Sequence, residues 1–433
     1  MASMLDRLSG TDLPEPPGEG PHYLRAITEL GEQQEIIVGS DIYATNGMKL
    51  LAKGARINRQ QFDRLVQHKL SISVDFSLAL ERAVDAGELS RQAGKLLEHD
   101  SLMSRLALRA GDPQAVKHEL ARLLLTSPLP TRLTVMLAQR TDLFNHSLRT
   151  AMIAFALAQR LRLPASDFPL LLLAALCHDM GELHTDPALL AASHQVTPEE
   201  RRFIHVHPIT GYLLLNDVKG ISPAVVQTVL QHHERLDGSG YPYGLKSVQI
   251  SKLAKVLAVA DVAEAVIDRL DPKRLDMLLR MNQTRFDPEI VNALRDLIRS
   301  QVVDACEEPP KVDTTVQLDK LARLLDAWLA LRKLLESQIT SALPKESPVG
   351  FLFERMNGIH RLILQAGFDP EDVQGMAGIV GDDAKLLSEL RDMLTEIDWL
   401  FNDLANEIDR RSPELDGISM VALEEMVGQL RPG

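Results

Sequence analysis

Residues 168–181 read Phe168-Pro169-Leu170-Leu171-Leu172-Leu173-Ala174-Ala175-Leu176-Cys177-His178-Asp179-Met180-Gly181. An uncharged run of this kind predicts a helix buried on every side. It reaches only half of the ~20 residues that a membrane span needs, so its place is the inside of a globular domain. Its last turn delivers an imidazole and a carboxylate, His178 and Asp179, into that interior. Eight of the 13 histidines fall between His146 and His233. Reading outward from the buried run, His146, His178-Asp179, His207, His232-His233 and Asp261 are separated by 32, 28, 25 and 28 residues. Each gap fits one helix and a turn, so each set is expected on its own helix, facing inward as in bundle metal sites. Leu253, Val256, Leu257 and Ala260 form the apolar stripe of the helix that carries Asp261. His184, His194 and His205 lie outside the pattern and read as surface or supporting residues.

A His-Asp or His-His dipeptide alone carries little information. Five imidazoles and two carboxylates together exceed what one tetrahedral ion with an open position can use. They suit two ions, with a carboxylate such as Asp179 between them. Nitrogen-rich sites with some oxygen and no thiolate favour Fe, Mn, Zn, Co or Ni over Mg or Ca. Paired ions of this type stabilise both oxygens of an in-line phosphoryl displacement and make hydroxide available at neutral pH.

These residues also carry a family resemblance. His178-Asp179-Met180-Gly181 resembles the HD-superfamily signature, and His232-His233-Glu234-Arg235-Leu236-Asp237-Gly238-Ser239-Gly240-Tyr241-Pro242 resembles the motif of the HD-GYP subfamily. His207-Pro208 with Gly211, Thr197 with Glu199-Glu200, and Ala258-Val259-Ala260-Asp261-Val262 fall in the same order as in that family. The resemblance covers roughly residues 131–295 and implies an HD-type helical bundle. It implies a metal-dependent phosphodiesterase of the bacterial second messenger cyclic di-GMP, giving the linear dinucleotide and often GMP. Carried over, His146, His178, Asp179, His207, His232, His233 and Asp261 are the metal ligands, with His178 and Asp179 at the catalytic centre. The Gly240-Tyr241-Pro242 loop borders the substrate pocket.

Three positions depart from the family. Glu182 stands where members usually have a phosphate-contacting lysine. Asp142 stands one helical turn before His146, where some members have a glutamate that admits a third ion. The usual cationic stretch after the last aspartate is replaced by Asp268-Arg269-Leu270-Asp271-Pro272-Lys273, so Arg269 and Lys273 are the candidate phosphate contacts. These departures leave room for a catalytically weak module acting as a cyclic di-GMP sensor or scaffold. An HD phosphohydrolase of another nucleotide is a further alternative.

The remaining chain frames this domain as mainly α. Residues 1–20, with Pro14, Pro16, Pro17, Gly18 and Gly20, read as a flexible leader. Residues 21–80 read as a small α+β module. In it Glu35–Val38 is strand-like, Asn46-Gly47 signals a tight turn with positive φ at both positions, Asn58 caps a short helix, and Ile72–Phe76 alternates like a strand. Residues 81–130 read as a helical connector, 131–300 as the phosphohydrolase domain and 311–433 as an acidic helical domain beyond Pro309-Pro310. In that last domain Leu390, Leu394, Ile397, Phe401, Leu404 and Ile408 step by fours and threes. Such a seam suits an intramolecular bundle or a homodimer or partner surface.

The full chain holds 433 residues with a net charge of −13. Residues 301–433 hold 13 Lys+Arg against 25 Asp+Glu, nearly all of that excess. Such charge argues against DNA and against docking on anionic lipid. Two cysteines and no basic-then-apolar leader fit a reducing cytoplasm.

Overall fold

The computed structural model describes residues 20–191, 194, 196–269, 275, 279, 284–298, 322–323, 355, 357–361 and 384–411. Two compact units emerge: residues 1–270 with 283–299, and residues 271–282 with 300–433.

The first unit opens with helix α1 (Pro21–Gln33), started by a proline whose missing N–H costs nothing there. Two short antiparallel pairs follow. Strand β1 (Ile36–Val38) pairs with β4 (Leu78–Leu80), and β2 (Ile42–Tyr43) pairs with β3 (Lys49–Leu51). Two local expectations need correction. Ile72–Phe76 is not a strand: Val74–Ser77 is a 3-10 turn and the strand comes just after it. Burying Asp75 requires that turn, because its carboxylate meets Arg132 and Tyr23. At the Asn46-Gly47 turn only Gly47 takes positive φ (83°). Its N–H donates to the Ala44 carbonyl, and Asn46 Oδ1 accepts from Met48 N–H instead. Asn58 caps as expected, its side chain accepting from Gln60 N–H ahead of α2 (Phe62–Val66).

A helical body then forms from α3 (Ala86–His99), α4 (Ser101–Ala110), α5 (Ala115–Leu120), α6 (Leu129–Gln139), α7 (Thr141–Arg160) and α8 (Phe168–Cys177). It continues through α9 (Pro198–His205), α10 (His207–Asn216), α11 (Pro223–Gln231), α12 (Lys252–Arg269) and α13 (Pro288–Ile298). Helix α7 is the centre, packed against α8 and α12, while α11 bridges α8 and α10. From Leu171 to Cys177 every residue of α8 is buried, as its all-round apolarity dictates. Among the described residues no helix is long and apolar enough to cross a membrane.

The small α+β module is joined to this body by a buried polar knot. Arg132 on α6 is 2% exposed and Asp75 is 0% exposed. Arg132 Nε donates to Asp75 Oδ2 at 2.7 Å, and its Nη1 donates to the Leu214 carbonyl on α10 at 3.0 Å. The Tyr23 hydroxyl donates to the other Asp75 oxygen. The Tyr23 ring stacks on His184 at 5.2 Å. His184 Nδ1 accepts from the Gly20 N–H at 3.4 Å, and burial holds that imidazole neutral, with its pKa down to about 3.

In the second unit, α14 (Ala384–Arg411) buries Leu394, Ile397, Phe401, Leu404 and Ile408 within the chain itself. The Leu390 side chain, Leu318–Trp328 except 322–323, and Pro309-Pro310 lie outside the described residues.

Candidate metal centre

Four elements converge on one point. His178 caps the end of helix α8, the 3-10 turn Met180–His184 follows Asp179, α10 begins at His207, and His232 caps the end of α11. Helices α7 and α12 supply His146 and Asp261 from the sides. Gly181 lets the turn lie against α10, because a Cβ there would stand 2.2 Å from the His207 carbonyl oxygen.

Each of three histidines is locked by the same local bond. The Nδ1–H of His178 donates to the Ala175 carbonyl at 2.7 Å, that of His207 to Ile204 at 2.7 Å, and that of His232 to Val229 at 2.6 Å. The bond to the carbonyl three residues back fixes the tautomer and aims the Nε2 lone pair inward. His146 reaches the same state through Glu264, whose carboxylate accepts from Nδ1 at 2.5 Å. Glu264 is buried and also meets Arg149 at 3.1 Å, and Arg149 meets Asp100 at 3.0 Å.

The inward-facing atoms crowd together. His146 Nε2 lies 3.2 Å from His178 Nε2, and His207 Nε2 lies 3.2 Å from His232 Nε2. Asp179 sits between the two pairs, with Oδ2 at 3.1 Å from His178 and 3.4 Å from His146, and Oδ1 at 3.1 Å from His207 and 3.5 Å from His232. Asp261 Oδ1 is 3.3 Å from His146 Nε2, and its Oδ2 is 3.7 Å from His233 Nδ1. Among the described residues, the clusters able to hold a metal are His146, His178 and Asp179 on one side, and Asp179, His207, His232 and His233 on the other. Asp142 is exposed in the first turn of α7 and belongs to neither. The Arg269 side chain and Lys273 lie outside the described residues.

The donor set fits a metal on chemical grounds. Two neutral imidazoles cannot rest lone pair to lone pair at about 3 Å unless a cation lies between them. That separation is also the edge expected of a coordination shell with metal–nitrogen bonds of about 2.0–2.1 Å. Buried Asp179 Oδ1 has no hydrogen-bond donor, which again calls for a cation.

Without metal, protons do this work. Burial disfavours the His178 imidazolium, but the Asp179 and Asp261 carboxylates outweigh burial and hold it up to about 10. His146 is raised in the same way, burial being overcome by Asp179, Asp261 and Glu264. On the other side, burial pushes His232 down to about 4 and His233 well below its ordinary value. Burial resists charge on Asp179 and Asp261, yet the surrounding imidazoles keep both well below the usual carboxylate range. Burial and then the neighbouring Asp179 charge push Glu182 up to about 7, partly offset by His207 and Arg140.

The 232–242 segment folds back over this centre. Glu234 is buried and braces the loop, accepting from Tyr243 N–H and Leu245 N–H at 2.8 Å each. Arg235 is spent on the His232 and Glu234 carbonyls at 3.0 Å. A Cβ on Gly240 would fall 2.3–2.4 Å from Arg235 N, Glu234 Cα and the His233 carbonyl oxygen, so only glycine fits. The following Tyr241 N–H donates to the His233 carbonyl at 3.1 Å. The Tyr241 ring stacks on His205 at 4.2 Å and tilts against His233 at 4.6 Å. Both His184 and His205 are therefore supporting residues with defined partners.

Two participants are not singled out by the sequence pattern, Glu264 and Arg140, and Glu234 stands in the motif without an expected role. Glu264 had a visible signal, lying three residues after Asp261 and hence on the same helical face.

A family model described as HD domain matches residues 102–290. The match starts ahead of residue 131 and takes in most of α4 and all of α5. A cyclic di-GMP phosphodiesterase of Pseudomonas aeruginosa is 35% identical over 156 residues, 35% of this chain and 38% of that protein. A cyclic di-GMP phosphodiesterase response regulator of Xanthomonas campestris is 33% identical over 34% of this chain and 41% of its own length. A 3′3′-cGAMP-specific phosphodiesterase of Vibrio cholerae is 34% identical over 35% of this chain and 33% of its own length. The chain thus matches between a third and about two fifths of the length of these curated relatives. The segment 102–290, with its paired histidine clusters and its Gly-Tyr-Pro loop, matches the HD domain model, and about a third of the chain is similar to these cyclic dinucleotide phosphodiesterases.

Proposed function

We propose that this chain is a metal-dependent phosphodiesterase that opens cyclic di-GMP to the linear dinucleotide and then to GMP. The observation that carries the reading is the two facing Nε2 pairs, 3.2 Å apart within each pair, with Asp179 between them. They support a reading of two adjacent cation positions sharing one carboxylate. His146, His178 and Asp261 would hold one ion and His207, His232 and His233 a second, with the Asp179 carboxylate available to both. When bound, paired ions polarise a phosphodiester and lower the pKa of water enough to attack it in line. Fe, Mn, Zn, Co and Ni all suit this donor set. Asp142 is assigned no ion.

The chain's own residues then orient the substrate. Gly240 keeps the loop close over His233, the Tyr241 ring walls that side of the pocket, and Pro242 fixes the turn that follows. Arg269 and Lys273 remain the proposed phosphate contacts on the segment after Asp261. Two cysteines, one of them the free and buried Cys177, fit a reducing cytoplasm.

The test is chromatography of cyclic di-GMP after incubation with Mn- or Fe-loaded protein. Linear dinucleotide or GMP supports the reading. The 34% identity to a 3′3′-cGAMP-specific enzyme makes that dinucleotide the competing substrate, so both are assayed side by side. Binding without turnover would replace the enzyme by a sensor.

A further inference from the structure

A phosphodiester anion approaching this centre meets Asp179, Asp261 and Glu182 as well as the ions. Glu182 is within electrostatic reach of Asp179, His207 and His146, which puts its carboxylate at the rim of the cluster. Left alone, it would repel the substrate. It is not alone: Arg140 Nη2 lies 3.8 Å from Glu182 Oε2, and Arg140 Nη1 donates to the Glu182 backbone carbonyl at 3.5 Å.

The other arginines described around the centre are engaged elsewhere. Arg235 holds the His232 and Glu234 carbonyls and covers the Phe286 ring at 5.0 Å. Arg149 is held by Asp100 and Glu264, and Arg132 by Asp75 and Leu214. Arg140 is different. Its two contacts are long, its side chain is 19% exposed, and a guanidinium carries five N–H donors. It also immediately precedes α7, so it is anchored to the helix that carries His146.

We propose that Arg140 contacts a phosphate of the substrate and that Glu182 positions it, the pair together supplying the cation this side of the pocket needs. The inference rests on the cyclic dinucleotide reading above. Glu182 acts through Arg140 and is a positioning residue; the guanidinium fork gives bidentate recognition of a phosphodiester. The charge reversal at Glu182 is thereby compensated by a cation from the start of α7.

The experiment compares the wild type with Arg140→Ala, Arg140→Lys and Glu182→Gln, each checked for metal content and helical spectrum. Losing a charge-assisted phosphate contact lowers affinity by about 10- to 100-fold. Arg140→Ala is expected to raise KM for cyclic di-GMP by that factor and to weaken equilibrium binding to chelator-treated protein equally, with metal content unchanged. Arg140→Lys should recover part of the loss, since it keeps the charge but not the fork. Glu182→Gln, which loosens the tether, should raise KM less than Arg140→Ala does. The same comparison with bis(p-nitrophenyl) phosphate separates the two readings, because that probe presents the diester anion without guanine. A wild type that acts on the probe but neither binds nor hydrolyses a cyclic dinucleotide would sink the substrate assignment, while the Arg140 effect on the probe would stand. Unchanged KM and binding in Arg140→Ala, or loss of metal in that variant, would overturn the Arg140 assignment.

Discussion

Glu264 offers a sharp test of the two-ion reading because it touches one half of the centre only. Its carboxylate takes the Nδ1–H of His146 at 2.5 Å and the Arg149 guanidinium at 3.1 Å, and it is 5% exposed. Glu264→Gln keeps the volume and an acceptor oxygen but removes the charge that makes His146 a stronger donor. A charge-assisted bond of this kind is worth about 1.5–3 kcal/mol, and supporting partners of metal ligands typically change affinity by about 10- to 100-fold. The contacts of His207, His232 and His233 do not include Glu264: the Nδ1 atoms of His207 and His232 bond the Ile204 and Val229 carbonyls, and His233 Nδ1 faces Asp261. Competition with a chromophoric chelator should therefore resolve two sites in Mn- or Zn-loaded protein. In the variant one site should weaken by about 10- to 100-fold, and the other should stay within roughly twofold. Equal weakening of both sites in a protein that keeps its helical spectrum would refute the division of labour. So would no change at either.

Other outcomes follow from the same geometry. Asp75→Ala removes the carboxylate that faces the buried Arg132 guanidinium, which costs about 3–5 kcal/mol; in a unit of this size the melting midpoint by circular dichroism should fall by roughly 6–20 °C. Metal binding should release protons at pH 7, since His178 and His146 hold theirs until about pH 10 or beyond in metal-free protein. Apparent affinity then rises with pH by up to tenfold per unit for each proton displaced, and calorimetry in buffers of different ionisation enthalpy should find at least one proton released. Gly240→Ala should abolish turnover while the α7–α8 core keeps its helical signal, because the new methyl meets three backbone-linked atoms at 2.3–2.4 Å; near-normal turnover would show that the loop has slack.

Much of the centre was legible because metal chemistry constrains residue type and spacing at once. The apolar run of α8 could only be buried, and the regular gaps could only be helix-plus-turn lengths. What the sequence hid were interactions with no short-range signature. Arg140 and Glu182 are 42 residues apart, and Arg132 and Asp75 are 57 apart. Nothing in local composition pairs them. Asp75 also explains the misplaced strand: alternation in Ile72–Phe76 is a valid strand signal, but a buried ion pair overrode it. The acidic excess after residue 300 argues against polyanion partners whatever the fold of that segment.

The knot around Tyr23 has a consequence for synthesis. The face of α1 that buries Tyr23 is made early, but its stacking partner His184, which also receives the Gly20 N–H, lies 161 residues after Tyr23. At about 5–20 residues per second, the ribosome delivers that partner roughly 8–30 s after α1. Through that interval Tyr23, Leu24, Ile27 and Leu30, all buried in the finished protein, have only part of their packing surface. The module at the front of the chain is thus a late-closing element of high contact order, and nascent chains halted before residue 184 should be the species that chaperones hold.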